Sequence, residues 1–387
     1  MKSLYKQLGR YIRPVDVRNK GLVTTKLLGI SVEKCFIPSI ANIIGTDLEK
    51  YKIVRKGQFA YIPDTSRRGD KIAVALLKEE DICIISSAYT AFEITDTNEL
   101  DPEYLMLWFS RPEFDRYARF HSHGSVREIF GWDEMCRVEL PVPDIEEQRD
   151  VVRKIRRIDK RIETLEVLES KVTGVGGLVV RKESNNTIII CGSETQAPKL
   201  NNGYSYQEVK AFAMRMTSGA TPARQESSYW DEREVPWLKS GEVQNGICNT
   251  PEEFISSMAL KETSVHLMPE DTVLMAMYGA TAGTVGYLME PSTTNQAVCC
   301  MQCADNDYSA YLFFSLLAYR EEIKRHANGG AQDNLSKEFI AKIKIVIPSH
   351  RRIKELNLSK IVSLLKLISR EKVSLTKLRA LLSEQRS

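Results

Sequence analysis

A chain of 387 residues is long enough for two or three domains with cores of their own. Its 43% apolar and 27% charged content is ordinary soluble-protein chemistry, and a formal charge of +3 excludes any general polycation argument for nucleic acid. The charge is uneven, however: residues 349–386 carry ten Lys/Arg against three Glu.

Met1-Lys2-Ser3-Leu4-Tyr5-Lys6-Gln7 has no apolar core of the kind a secretory signal needs. No apolar run approaches the ~18 residues expected of a membrane span. Residues 1–144 read as mixed α/β. Ile72–Leu76 and Ile82–Ile85 are short strand candidates, Glu103–His121 reads as one helix, and Val138–Val142 as a strand closed by Pro143.

Residues 145–173 differ in kind. Val151, Ile155, Ile158, Ile162, Leu165 and Val172 recur at four- and three-residue steps among charged residues, with Glu169 the one polar seam position. That pattern predicts a coiled-coil helix, stopped by Gly174, Gly176 and Gly177. A linker is expected over 174–204, then a second globular part over 205–348 that is richer in turns. Residues 349–387 repeat the seam with Ile361, Leu364, Ile368, Leu375, Leu378 and Leu382, Glu371 being the polar exception.

The chain also repeats itself. Leu107-Trp108-Phe109-Ser110, Gly124 and Leu140-Pro141-Val142-Pro143 return as Leu312-Phe313-Phe314-Ser315, Gly329 and Ile345-Val346-Ile347-Pro348, each shifted by 205 residues. A period that long points to two homologous domains, each trailed by a helix, rather than to a solenoid. The expected fold is α+β: two mixed α/β domains and a pair of long helices, antiparallel because a globular domain intervenes.

Motifs for chemistry are missing from the sequence. There is no phosphate-binding Gly-x-x-x-x-Gly-Lys-Ser/Thr loop, no Asn/Asp-Pro-Pro-Tyr/Phe tetrapeptide and no His-Glu-x-x-His. His121-x-His123 reads as surface loop, and no acidic cluster with a nearby Lys suggests a nuclease. Cys300-x-x-Cys303 lies in a strand-like run without a second Cys/His pair, so buried thiols are expected, and scattered cysteines such as Cys83 and Cys191 fit a reducing cytoplasm.

What remains suits a polyanion. Ser66-Arg67-Arg68-Gly69-Asp70-Lys71 is a basic turn, and Gly124-Ser125-Val126-Arg127 sets a flexible turn beside an Arg fork. Gly279-Ala280-Thr281-Ala282-Gly283-Thr284 offers backbone N–H groups and hydroxyls, and Thr293-Thr294-Asn295-Gln296 adds amides of the type that read adenine edges.

As a set, the residues resemble the specificity subunit of a type I restriction–modification enzyme. The first half carries Leu28-Gly29-Ile30-Ser31, Ser86-x-x-Tyr89-x-x-Phe92, Gly124-Ser125-Val126-Arg127 and Leu140-Pro141-Val142-Pro143 followed by Glu147-Gln148. The second half carries Gly219-Ala220-Thr221-Pro222, Tyr229-Trp230, Pro236-Trp237-Leu238-Lys239, Gly241-Glu242-Val243 and Gly279-Ala280-Thr281-Ala282-Gly283. There are three departures. Thr284 stands where the motif often continues with Lys, Gln332-Asp333 replace the second half's Val126-Arg127, and Arg352-Ile353 stand where Glu147-Gln148 would recur.

The resemblance implies two target-recognition domains (1–144 and 205–348), each reading half of a bipartite, asymmetric duplex DNA target. It implies a central spacer helix over 145–173 and a distal one over 349–387, which together dock two methyltransferase subunits. Restriction–translocase subunits are a further partner it allows. S-adenosylmethionine would belong to the methyltransferase, and ATP and Mg to the restriction subunit, leaving this chain non-catalytic and without cofactor or metal. The candidate DNA contacts are Arg67, Arg68, Lys71, Ser125, Arg127, Arg224, Lys239, Tyr278, Thr281, Thr284, Asn295, Gln296 and Gln332. The helix-packing candidates are Ile155, Ile158, Ile162, Leu165, Ile361, Leu364, Ile368, Leu375 and Leu378. A two-helix spacer of ~28 paired residues would span ~42 Å, or about twelve base pairs. A coiled-coil scaffold unrelated to DNA, or a fragment of a self-sufficient restriction or methyltransferase enzyme, are the alternatives.

Overall fold

The computed structural model describes residues 5–39, 45–65, 71–124, 128–190, 199–200, 203–326 and 334–384. The chain divides into two compact units, Met1–Arg161 with Leu375–Ser387, and Ile162–Ser374. No helix among the described residues is long and apolar enough to cross a membrane.

The first unit centres on a four-stranded antiparallel sheet. Its order is Ile12–Val15, Thr90–Ile94, Phe59–Ile62, Ala73–Leu76. The central strand 59–62 is buried along its whole length, so its alternating side chains feed two cores. Phe59 and Tyr61 join Phe92, Phe109, Phe114 and Phe130 in one; Ala60 and Ile62 join Val54, Cys83 and Ile85 in the other. Phe59 and Phe92 stack at 4.9 Å between centroids.

The second unit repeats this order with one strand added. Arg215–Ser218, Val298–Gln302, Val273–Ala276 and Val285–Leu288 run antiparallel, and Gly246–Cys248 joins Val285–Leu288 in parallel. A smaller sheet orders Glu253–Ile255, Val235–Leu238 and Thr293–Thr294.

The repeat holds residue by residue in places. Helix Trp132–Arg137 matches Lys337–Lys342. Ser110 and Ser315 each return a hydroxyl hydrogen bond to the carbonyl four residues back, at 2.8 and 2.6 Å. The opening strands show where the spacing slips. Gln7 pairs with Glu139 while Glu208 pairs with Lys344, so a shift of 205 on one side is 201 on the other, and the second copy carries four more residues between the two strands.

Three sequence expectations are corrected. The helix expected over Glu103–His121 is two, Pro102–Phe109 and Pro112–Phe120. Pro112 has no N–H to continue the first helix and sits well at the start of the second. The glycines at 174, 176 and 177 do not stop the first long helix, which runs Ile145–Glu183. A Cβ at Gly176 would meet the Phe314 ring at 2.2 Å, so glycine here permits a close helix–helix approach. The chain leaves the helix further on, where Asn185 and Asn186 take φ of 49° and 55°.

The third correction concerns the second seam. The distal segment is a short helix, His350–Glu355, then a break at Asn357 (φ 54°), then Leu358–Glu384. Leu358, Val362 and Leu365 enter the core of the second unit, whereas Leu364 and Leu378 are exposed. The core of the domain selects the buried face, one position away from the heptad drawn through Ile361. Ile155, Ile158, Leu165 and Ile368 are buried; Ile162, Ile361 and Leu375 are half-buried.

The antiparallel pairing of the two helices is visible within each unit. In the second, Arg352 pairs with Glu183 and Lys372 with Glu169. In the first, Arg379 reaches Asp159 at 2.6 Å while Leu382, further on, packs against the cluster holding Val151, Val152 and Ile155.

Candidate nucleic-acid interface

In the first unit, residues that flank two of the sequence-predicted polar segments are hydrogen-bonded to one another. Thr65 N–H donates to the Glu128 carbonyl at 3.1 Å, and Asp64 and His123 both bridge to Ile129. These residues precede 66–70 and flank 125–127. Arg67, Arg68, Ser125 and Arg127 themselves lie outside the described residues, as does Gln332 of the second unit.

Ile72, just after the first of these segments, is held by a half-buried ion pair. Asp115 accepts from Ile72 N–H at 3.1 Å and from Lys34 Nζ at 2.5 Å, and Lys34 also donates to the Ile72 carbonyl at 2.6 Å. Burial lowers the pKa of the Lys34 ammonium, and Asp115 opposes that shift. Lys71 is exposed and 3.3 Å from Glu33, a pair worth little in water.

In the second unit the structure gathers most of the remaining candidates. Gly219 lies so close to Thr294 that a Cβ would fall 2.0 Å from its carbonyl oxygen, which only glycine allows. Ala220 N–H donates to that same carbonyl at 3.0 Å. Thr221 then places its hydroxyl on Gln296 Oε1 at 2.5 Å. Asn295 N–H bonds the Leu238 carbonyl and its own Oδ1 accepts from Ala297 N–H, which fixes the amide-bearing turn.

Arg224 and Lys239 converge on Glu253, at 2.5 and 3.0 Å. The hydrogen bond from Arg224 is the main reason that the Glu253 carboxyl titrates below its usual value. Hydrogen bonding to Glu253 likewise raises Lys239. The Arg224 guanidinium lies 3.8 Å over the Trp230 ring and 4.8 Å from that of Trp237. The indole N–H groups of both rings are spent on the backbone, Trp230 on Ala223 and Trp237 on Ala220.

Tyr278, Thr281 and Thr284 form a neighbouring turn. Met277 N–H reaches the Ala297 carbonyl at 2.8 Å, which sets Tyr278 one residue from this attachment, and Tyr278 is 44% exposed. Thr281 hydroxyl donates to the Tyr278 carbonyl, and the Thr284 backbone closes the turn onto Thr281 and Ala276.

Cys300 and Cys303 enter different cores on the two faces of the sheet. Burial raises both thiols, to about 11 and about 12, so each stays protonated. The residue that sequence reasoning missed is Glu253. A lone Glu beside Glu252 in a short strand carries no local signal; its importance comes from its cross-strand place opposite Trp237.

Comparison with known proteins places this arrangement. Residues 214–379 match the family described as Type I restriction modification DNA specificity domain. The Type I restriction enzyme MjaIX specificity subunit of Methanocaldococcus jannaschii is 26% identical over 161 residues, 40% of this chain and 37% of that protein. The EcoR124I/EcoR124II specificity subunit of Escherichia coli is 21% identical over 271 residues, 68% of this chain and 63% of that protein. The matched region thus spans less than two thirds of either relative. The crystal structure of a type I restriction–modification S subunit from M. genitalium superposes with a TM-score of 0.56 at 16% identity, covering 98% of this chain and 94% of that one, a likeness of fold. By family match over residues 214–379, by relatives and by fold, the chain is similar to the type I restriction–modification specificity subunits.

Proposed function

We propose that this chain is the non-catalytic DNA sequence-specificity subunit of a type I restriction–modification complex. Its two units read the two halves of a bipartite, asymmetric duplex target, and its long helices dock two methyltransferase subunits. The observation that carries this reading is the duplicated unit: the same four-strand order is built twice, with different side chains at equivalent turns. Two similar surfaces with different polar groups suit two different short sequences.

The methyltransferase subunits would carry S-adenosylmethionine, and a restriction–translocase subunit would bring ATP and Mg. The complex would work in the reducing cytoplasm, which suits the buried free thiols. Purified chain given S-adenosylmethionine, Mg²⁺ and DNA is expected to yield no methylated or cleaved product. Adding the cognate methyltransferase subunit is expected to produce methylation at a split sequence. Turnover by the lone chain, or no salt-sensitive duplex binding by the complex, would overturn the reading, the second result in favour of a coiled-coil scaffold.

A further inference from the structure

We infer that Arg224 is the guanine-reading side chain of the second unit, and that Glu253, with the Trp230 and Trp237 rings, is the device that holds it ready. This rests on the DNA-reading function proposed above and adds to it the base, the reading atoms and the positioning residues.

The argument starts from the donors. A guanidinium has five N–H groups in a planar fork. In Arg224 the described hydrogen bonds use Nη1 alone, on Glu253 at 2.5 Å, and the side chain is 51% exposed. Contact with the Trp230 ring, 3.8 Å from its centroid, restricts the planes open to the fork. The hydrogen bond to the carboxylate then restricts its rotation. Arg is otherwise a long side chain with much rotamer entropy to lose on binding. Here that loss is taken at folding, so a partner meets a fork already oriented.

The ligand that matches a planar, pre-oriented fork is one with two acceptors side by side. In a duplex that is the O6/N7 edge of guanine in the major groove. A phosphate would accept the same fork, but a phosphate contact needs no stacking platform to fix the plane. The neighbours fit a base edge as well. Arg224 follows the Gly219–Pro222 turn that Thr221 ties to Gln296, a side chain suited to an adenine edge. Lys239, sharing Glu253 from the other side, is a point charge suited to phosphate.

Glu253 is a positioning residue in this account, because it acts through Arg224. Removing its charge makes the surface more positive, so overall DNA attraction should rise or hold, while discrimination at one base pair falls. A purely structural role predicts no such split.

The test uses the assembled methyltransferase complex with random-sequence duplexes, reading out the selected sequence and its salt dependence for wild type, Arg224→Lys and Glu253→Gln. Both variants are expected to keep the fold and the charge needed for non-specific binding. Each should lose ~10- to 100-fold discrimination at one and the same guanine position in one half-site, leaving the other half-site unchanged. The double variant should lose no more than Arg224→Lys alone. A charge-removing variant, Arg224→Ala, is measured alongside: if it weakens all sequences uniformly and reduces the salt slope by about one, Arg224 is a phosphate contact and the inference is overturned. Unchanged discrimination in Arg224→Lys, while the wild type selects a split sequence, would overturn it too. If the wild-type complex selects no sequence at all, the functional proposal itself fails.

Discussion

Arg352 donates Nε and Nη2 to the two oxygens of Glu183, at 3.1 and 2.6 Å, and so ties the end of the first long helix to the short helix that opens the distal segment. The pair occupies the place where the distal segment departs from the Glu147-Gln148 pattern. Glu183 is almost fully covered (6% exposed side chain) and also accepts from the Tyr204 hydroxyl at 2.7 Å.

Arg352→Met is expected to destabilise the second unit by about 1–2 kcal/mol, less than a fully buried pair because Arg352 itself is partly exposed. The pH dependence should shift with it. Arg352 first, then Tyr204, holds the Glu183 carboxyl below its ordinary 4.5. A depressed acid contributes stability that is complete above about pH 4.5 and lost as pH falls through its lower folded value. Thermal unfolding from pH 7 to 3 should therefore show a steeper acid loss in wild type than in Arg352→Met. Parallel curves would refute the coupling.

Gln148 makes the complementary case in the first unit. It is fully buried, accepts from Asp101 N–H at 2.9 Å, and donates to the Glu99 and Pro143 carbonyls at 2.9 and 2.8 Å. At the equivalent position Ile353 lies in an apolar core. Gln148→Leu should cost about 2–4 kcal/mol by stranding three backbone groups. Ile353→Gln should cost a similar amount by burying an amide that lacks partners. Denaturant unfolding measures both, and a neutral Gln148→Leu would show that water satisfies those groups.

Two glycines on one helix should respond in opposite directions. Gly174 has open space where a Cβ would go, so Gly174→Ala should stabilise by up to ~1 kcal/mol through helix propensity. Gly176→Ala must displace the Phe314 ring and should destabilise by about 1–3 kcal/mol. Equal melting shifts for the two would remove close packing as the reason for glycine at 176.

The proposed spacer role makes a prediction about DNA. Removing one heptad from each long helix at facing levels, near the Lys372–Glu169 pair, keeps both apolar stripes in phase. Seven residues at 1.5 Å rise amount to ~10 Å, or about three base pairs. The methylated half-site sequences should stay the same while the gap between them shortens by about that number. An unchanged gap in the sequences selected by the assembled complex would show that the helices do not set it.

Much of this architecture was legible in the residues. Periodicity located the long helices, and the 205-residue echo from Leu107 to Pro143 announced the duplication, because repeated cores need repeated apolar spacing. Short strands such as Ile82–Ile85 were legible for the same reason. Tertiary structure decided what local pattern could not. Gly176 reads locally as a stop because its packing partner, Phe314, is remote in sequence. The distal helix turned a different face inward because the domain core, not the heptad, sets which stripe is covered, leaving Leu364 exposed and Leu365 buried. Arg224 could be named from the resemblance, but its posture could not. Trp230 is six residues away, but its ring meets the guanidinium only once the loop closes, and Glu253 reaches it through strand pairing, a contact that long-range folding creates and that no short sequence window contains.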